Sequence, residues 1–274
     1  MVDEVAFWGM AYACLLAAAG AYIVALWRRA DQATLVGRVT GALGVVLMMA
    51  GLAIRLIGSD HWLPVVSSEV TTATLAVAIV LFLIWERQGK LQWYGAGIFV
   101  LVVLLDSLVL RDLVMDGQTK PALTHGGFNI LDLLSVWLRV VAGGCLLVGG
   151  GLGLMRLIPM RRPLADRESE GELDSCRTTP AELSYVTEGK LDGGAWRAFV
   201  WGISALSGSL IVSAVATALA GRDPWAAESG LLRPLATWAV CAGTVAVERA
   251  RGWRASLALL AAAVTCITML SGGG

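Results

Sequence analysis

The sequence predicts an all-α, polytopic membrane bundle of about eight transmembrane helices with both termini outside. Three observations lead there. Of the 274 residues, 57% are hydrophobic and 15% are charged, a balance that favours a lipid environment over water. Apolar runs long enough to cross the hydrocarbon core of a bilayer recur along the whole chain. Basic residues gather in alternate loops, as the positive-inside rule requires.

Taken in order, the spans are expected over residues 5–27, 35–57, 69–86, 92–111, 129–157, 194–220, 234–248 and 254–271, each roughly 15–28 residues long, within or near the range of a crossing helix. The first is too long and too firmly flanked for a cleaved leader, and no small-residue cleavage site follows it. The second carries Gly41, Gly44 and Gly51, and the fifth Gly143, Gly144, Gly149, Gly150, Gly151 and Gly153. Small residues let helices approach closely, and these are expected to serve packing inside the bundle rather than a dimer seam. In the seventh span Pro234 fits the first helical turn.

Loop charge gives the orientation. Arg28, Arg29 and Arg38 follow span one, Arg87 and Lys90 follow span three, and Arg156, Arg161, Arg162 and Arg167 follow span five. Arg249, Arg251 and Arg254 lie between the last two spans, whereas the opposite loops carry chiefly Lys120, Arg222 and Arg233. The richer set is therefore assigned to the cytoplasm; the chain is expected in a bacterial cytoplasmic (inner) membrane. Residues 158–193 form a polar cytoplasmic loop between the two halves of a single membrane domain, 1–274. Its acidic stretch, Asp166–Glu172, reads as a solvated segment. Thr179 can cap and Pro180 open a surface helix leading into span six.

Charged residues inside apolar helices are costly and need partners. Arg55, Glu69, Asp106, Asp132 and Arg139 form an intramembrane polar cluster at the outer halves or outer ends of spans two to five. Arg139 is the deepest, roughly 15 Å below the outer end of its helix. An Asp106–Arg139 or Asp132–Arg139 pair is expected to neutralise that cost and lock the bundle. Trp8, Trp27, Trp62, Trp85, Trp93, Trp196 and Trp253 sit near span ends as an interfacial belt, and Trp137 and Trp238 lie deeper, as core or cofactor-facing residues.

Several chemistries are not encoded. Cys14, Cys145, Cys241 and Cys266 fall within apolar runs and Cys176 stands alone in a polar loop, with no CxxC or CxxCH. No HExxH, nucleophile–base pair or phosphate loop is present, so neither catalytic nor metal-binding residues are assigned. The balanced formal charge gives no basic footprint for nucleic acid.

The order Asp223-Pro224-Trp225, Thr237-Trp238 and Arg251-Gly252-Trp253-Arg254, with Pro121-Ala122-Leu123 and Glu69 upstream, resembles the CcsA/ResC-type cytochrome c assembly family. Thr237-Trp238 and the Arg251–Arg254 turn fit that family's ITW and RGWR without a gap, and the same register puts Trp225 on a tryptophan of its external haem-facing segment. The family's haem-ligating histidines fall on Leu131, on Ala246 and near Gly272–Gly274. The resemblance therefore implies a divergent haem-handling or cytochrome c assembly protein that lacks the family's ligands. No cofactor is expected from its own ligands. Haem would need an altered external site drawn from His61, His125, Trp225 and Trp238, since imidazole is the usual axial donor. Partners are expected to be other membrane or cytochrome subunits and the lipid bilayer. Two alternatives stand beside assembly: a non-catalytic scaffold subunit of a membrane electron-transfer complex, respiratory or photosynthetic, and a regulator of tetrapyrrole synthesis resembling HemX.

Overall fold

The computed structural model describes residues 2–28, 30–58, 67–89, 94–116, 130–157, 180–221 and 231–251. These residues form seven helices and no strand: α1 (Val2–Arg28), α2 (Asp31–Gly58), α3 (Ser67–Gly89), α4 (Gly95–Asp116), α5 (Ile130–Leu157), α6 (Pro180–Leu219) and α7 (Leu232–Arg251). Five segments are long and apolar enough to cross a membrane: Ala6–Arg28, Asp31–Ile57, Ser68–Arg87, Ile130–Met155 and Gly193–Leu219. They coincide with the first, second, third, fifth and sixth expected spans. Helices α4 and α7 occupy the places of the fourth and seventh, and the eighth, 254–271, lies outside the described residues.

Three boundaries differ by more than three residues from the expected spans: the end of α4, at Asp116 rather than near residue 111, and the starts of α2 and α6. Helix α2 begins at Asp31 rather than near residue 35. The Ala30 carbonyl accepts from the backbone N–H groups of Ala33 and Thr34, and the Asp31 carboxylate suits the positive end of the helix dipole. Arg38 is a helical residue, as the expected span 35–57 already placed it. Helix α6 begins at Pro180, the helix start read from Thr179 and Pro180, and runs without interruption into the apolar segment, so that the surface helix and span six are one element. Proline suits that first position, and Gly194 continues the helix within reach of Leu152 Cδ1 at 3.5 Å from where its own Cβ would stand. The helix ends at Leu219 and the chain turns at Gly221, whose φ of 67° is a conformation glycine adopts at no steric cost.

Helix α1 packs on α2 and α4, α2 on α3, α3 on α4 and α5, α4 on α5, α5 on α6, and α6 on α7. One core joins them, with Leu15, Tyr22, Met48, Leu75, Ile79, Phe82, Phe99, Leu146, Leu152 and Phe199 all buried. The outward faces are as apolar as the core: Val36, Val39, Leu43 and Val46 on α2 and Ile211, Val215 and Leu219 on α6 are exposed. A water-facing helix would carry its polar residues there. Of the glycines expected to serve packing inside the bundle, Gly41, Gly44, Gly51, Gly144, Gly149 and Gly151 stand against neighbouring helices. A Cβ on Gly41 would stand 2.6 Å from Phe99 Cζ, one on Gly144 2.8 Å from Val77 Cγ1, and one on Gly97 2.5 Å from the Gly151 carbonyl oxygen.

Candidate functional site

Helices α2 and α3 run antiparallel and are tied by an ion pair at each end. Near the end of α2, Arg55 Nε stands 3.0 Å from Glu69 Oε1 at the start of α3, with the carboxylate 5% exposed. At the other end, Arg38 Nε stands 3.0 Å from Glu86 Oε2, and the Glu86 side chain is fully buried. The Tyr22 hydroxyl of α1 donates to the same Glu86 oxygen at 2.9 Å. A single carboxylate thus joins three helices, and its other oxygen, Oε1, is buried with no hydrogen-bond partner.

The Tyr22 ring is held by close packing. It stacks on Phe99 at 5.0 Å and 17° and meets Phe82 edge-on at 5.8 Å and 73°, geometries favoured by the ring quadrupole. Gly37 and Gly95 leave room for the ring, since a Cβ on either would fall within 2.8 Å of it. The position of the phenol is therefore fixed by α2, α3 and α4 together, and with it the direction of its bond to Glu86.

A second polar seam joins α5 to α6. Arg139 donates from Nε to Ser209 Oγ at 3.1 Å and from a terminal nitrogen to Ser213 Oγ at 2.8 Å. Ser209 in turn donates to the Ser135 carbonyl at 3.0 Å. The expected Asp106–Arg139 pair does not form, because the guanidinium is turned toward α6 and satisfied by two serines one turn apart. Asp132 acts on it electrostatically from the same helix. Asp106 is buried within α4. Replacing Ser209 and Ser213 together with alanine is expected to lower stability by about 1–2 kcal/mol, the scale of hydrogen bonds within a membrane bundle. Unfolding in mixed micelles measures it, and an unchanged midpoint would show the seam to be idle.

The sequence-derived site is not assembled as expected. Arg55 and Glu69 are brought together; Asp106, Asp132 and Arg139 belong to other parts of the bundle. Trp238, expected as a core or cofactor-facing residue, donates its indole N–H to Ser207 on α6 at 2.7 Å, a link between helices. His61, His125 and Trp225 lie outside the described residues. Among the described residues no group of three or more His, Cys, Asp or Glu could hold a metal ion.

Sequence reasoning missed the Tyr22–Arg38–Glu86 cluster, having treated Arg38 as a topology marker and Glu86 as the last residue of a span. A usable signal was present. Arg38 and Arg55 are seventeen positions apart, as are Glu69 and Glu86, so an antiparallel α2–α3 pair that forms one ion pair is in register for the other.

Comparison of the chain with protein-family models, with curated proteins and with solved structures found no match.

Proposed function

We propose that the protein is a non-catalytic scaffold of the bacterial cytoplasmic membrane, eight-spanning with both termini outside, that serves cytochrome c assembly or the electron-transfer complexes that assembly supplies. One observation carries the scaffold reading: the buried or half-buried cations Arg38, Arg55 and Arg139 are directed at neighbouring helices. Charges so used hold a bundle in one arrangement and leave little for turnover chemistry. The bond from Trp238 to Ser207 supports the same view, since that indole is occupied in joining α6 to α7. The cytochrome context rests on the resemblance of the chain's order of landmarks to the CcsA/ResC type.

Purification in a gentle detergent, with mass-spectrometric identification of stoichiometric partners, tests this. The expected result is a ResB-like partner with thioredoxin-like assembly factors, or else mature cytochromes and oxidoreductase subunits. The first outcome gives a role in maturation, the second a structural role in the finished complex. Recovery of neither overturns the reading. The purified protein is also expected to lack a haem Soret band. A stoichiometric band that disappears in His61→Ala or His125→Ala would replace the scaffold with a haem-ligating protein.

A further inference from the structure

Three carboxyl side chains are buried among the described residues: Glu69, Glu86 and Asp106. Two of them have an arginine against them, Arg55 and Arg38. Asp106 is 2% exposed and makes neither an ion pair nor a hydrogen bond among the described residues. It lies eleven positions from Gly95 and ten from Asp116, the two ends of α4, which is about 15 Å or more in either direction.

The contacts of Phe99 show what surrounds this carboxyl. Phe99 stands seven positions before Asp106, two turns away on the same face of α4. Its ring stacks on Tyr22 of α1 at 5.0 Å and meets Phe82 of α3 edge-on at 6.0 Å. It also lies against Gly41 of α2, where a Cβ would stand 2.6 Å from Cζ. Successive spanning helices cross in opposite directions, so the same step of seven leads from Tyr22 to Leu15, from Gly41 to Met48 and from Phe82 to Leu75. All three are fully buried apolar side chains of one core. No charged group is turned to this level. Thr72, a turn further along α3, spends its hydroxyl on the Ser68 carbonyl at 2.8 Å. On α5, Arg139 is turned to Ser209 and Ser213, and Asp132 acts on that arginine. Arg111 of α4 is exposed.

An ionised carboxylate without a partner is not tolerated in such surroundings, and the group carries a proton instead. Ionisation needs water at the carboxylate, and a close-packed interior admits water only where its helices part.

We propose that Asp106 is a proton-binding site at the centre of the bundle, where uptake of one proton locks α4 onto α1, α2 and α3 and its release accompanies their separation. The step converts one carboxylate and one proton into one carboxylic acid and needs no other reactant.

Infrared spectroscopy of the full chain in nanodiscs at neutral pH provides the test. Wild type is expected to show the carbonyl stretch of a protonated carboxylic acid, and the nearly isosteric Asp106→Asn to lose it. Should that variant not fold, carbon-13 labelling of aspartate carboxyls assigns the band by its shift in wild type, since Asp106 is the only buried aspartate among the described residues. In deuterated buffer the band is expected to shift no faster than the backbone amides of α4 exchange. A wild type without the band, a band kept in Asp106→Asn or unmoved by the label, or one that shifts at once in deuterated buffer would overturn the proposal. The scaffold reading stands or falls on the partners recovered, independently of this outcome.

Discussion

Replacing Arg38 with leucine is expected to lower the stability of the bundle by about 3 kcal/mol, near the lower end of what breaking a buried ion pair costs. The reason is the asymmetry of the pair. Glu86 is fully buried and Arg38 is about one-third exposed, at 32%. Without Arg38 the carboxylate is left in the core with only the Tyr22 hydroxyl against it. Glu86→Leu is expected to cost less, because the long arginine side chain can extend its head toward water at the helix end. The double variant, Arg38→Leu with Glu86→Leu, is expected to recover most of the loss, since an apolar pair of similar volume replaces an ion pair at little cost. Recovery falls short by about 1 kcal/mol because the buried Tyr22 hydroxyl then lacks its acceptor. Unfolding of the four proteins in mixed micelles completes the cycle. Simple additivity of the two losses would remove the ion pair from the account of what holds α2 to α3.

The Gly97→Val variant is expected to fare worse, losing more than about 3 kcal/mol, at or beyond the upper end of ordinary overpacking. A Cβ at this position would lie 2.5 Å from the Gly151 carbonyl oxygen and 2.6 Å from Met155 Cγ. A methionine side chain can move aside, but the backbone oxygen moves only with α5. The contact is reciprocal, because a Cβ on Gly151 would meet the side chain and backbone of Ile98. Gly20 provides the control, having nothing within 4 Å of its virtual Cβ. Gly20→Ala is expected to be neutral or to stabilise by up to about 1 kcal/mol through helix propensity. Equal thermal midpoints for Gly97→Val and Gly20→Ala would sink the close approach of α4 and α5.

What the sequence could reveal divides along a physical line. Apolar runs report where a helix must be, and α1, α3 and α5 begin and end within three residues of expectation. Runs report poorly how far a helix extends beyond its apolar part; the polar opening of α6 was legible from Thr179 and Pro180 instead, and its continuity with the span was not. Single-helix spacing also does not say which neighbour a face meets. Ser209 and Ser213, four apart, plainly share a face of α6, but their service to Arg139 depends on α6 lying against α5. The reading therefore sought a carboxylate for Arg139 and did not foresee the two hydroxyls that act on it together with Asp132. Glycines in α2 and α5 were legible as packing positions because any close helix contact requires small residues, whichever helix comes near.

The two ion pairs between α2 and α3 also fix a length. The seventeen positions that separate Arg38 from Arg55, and Glu69 from Glu86, amount to about 25 Å of helix axis. That is slightly less than the average hydrocarbon thickness of about 30 Å. Sliding α2 along α3 by one turn would break both pairs at once, so these helices cannot adjust to a thicker bilayer by shifting past one another. The adjustment falls instead to tilt of the two helices as one unit, or to outward reach of the arginine side chains. The α2–α3 hairpin is in this sense a ruler, with the register of its two helices pinned at both ends.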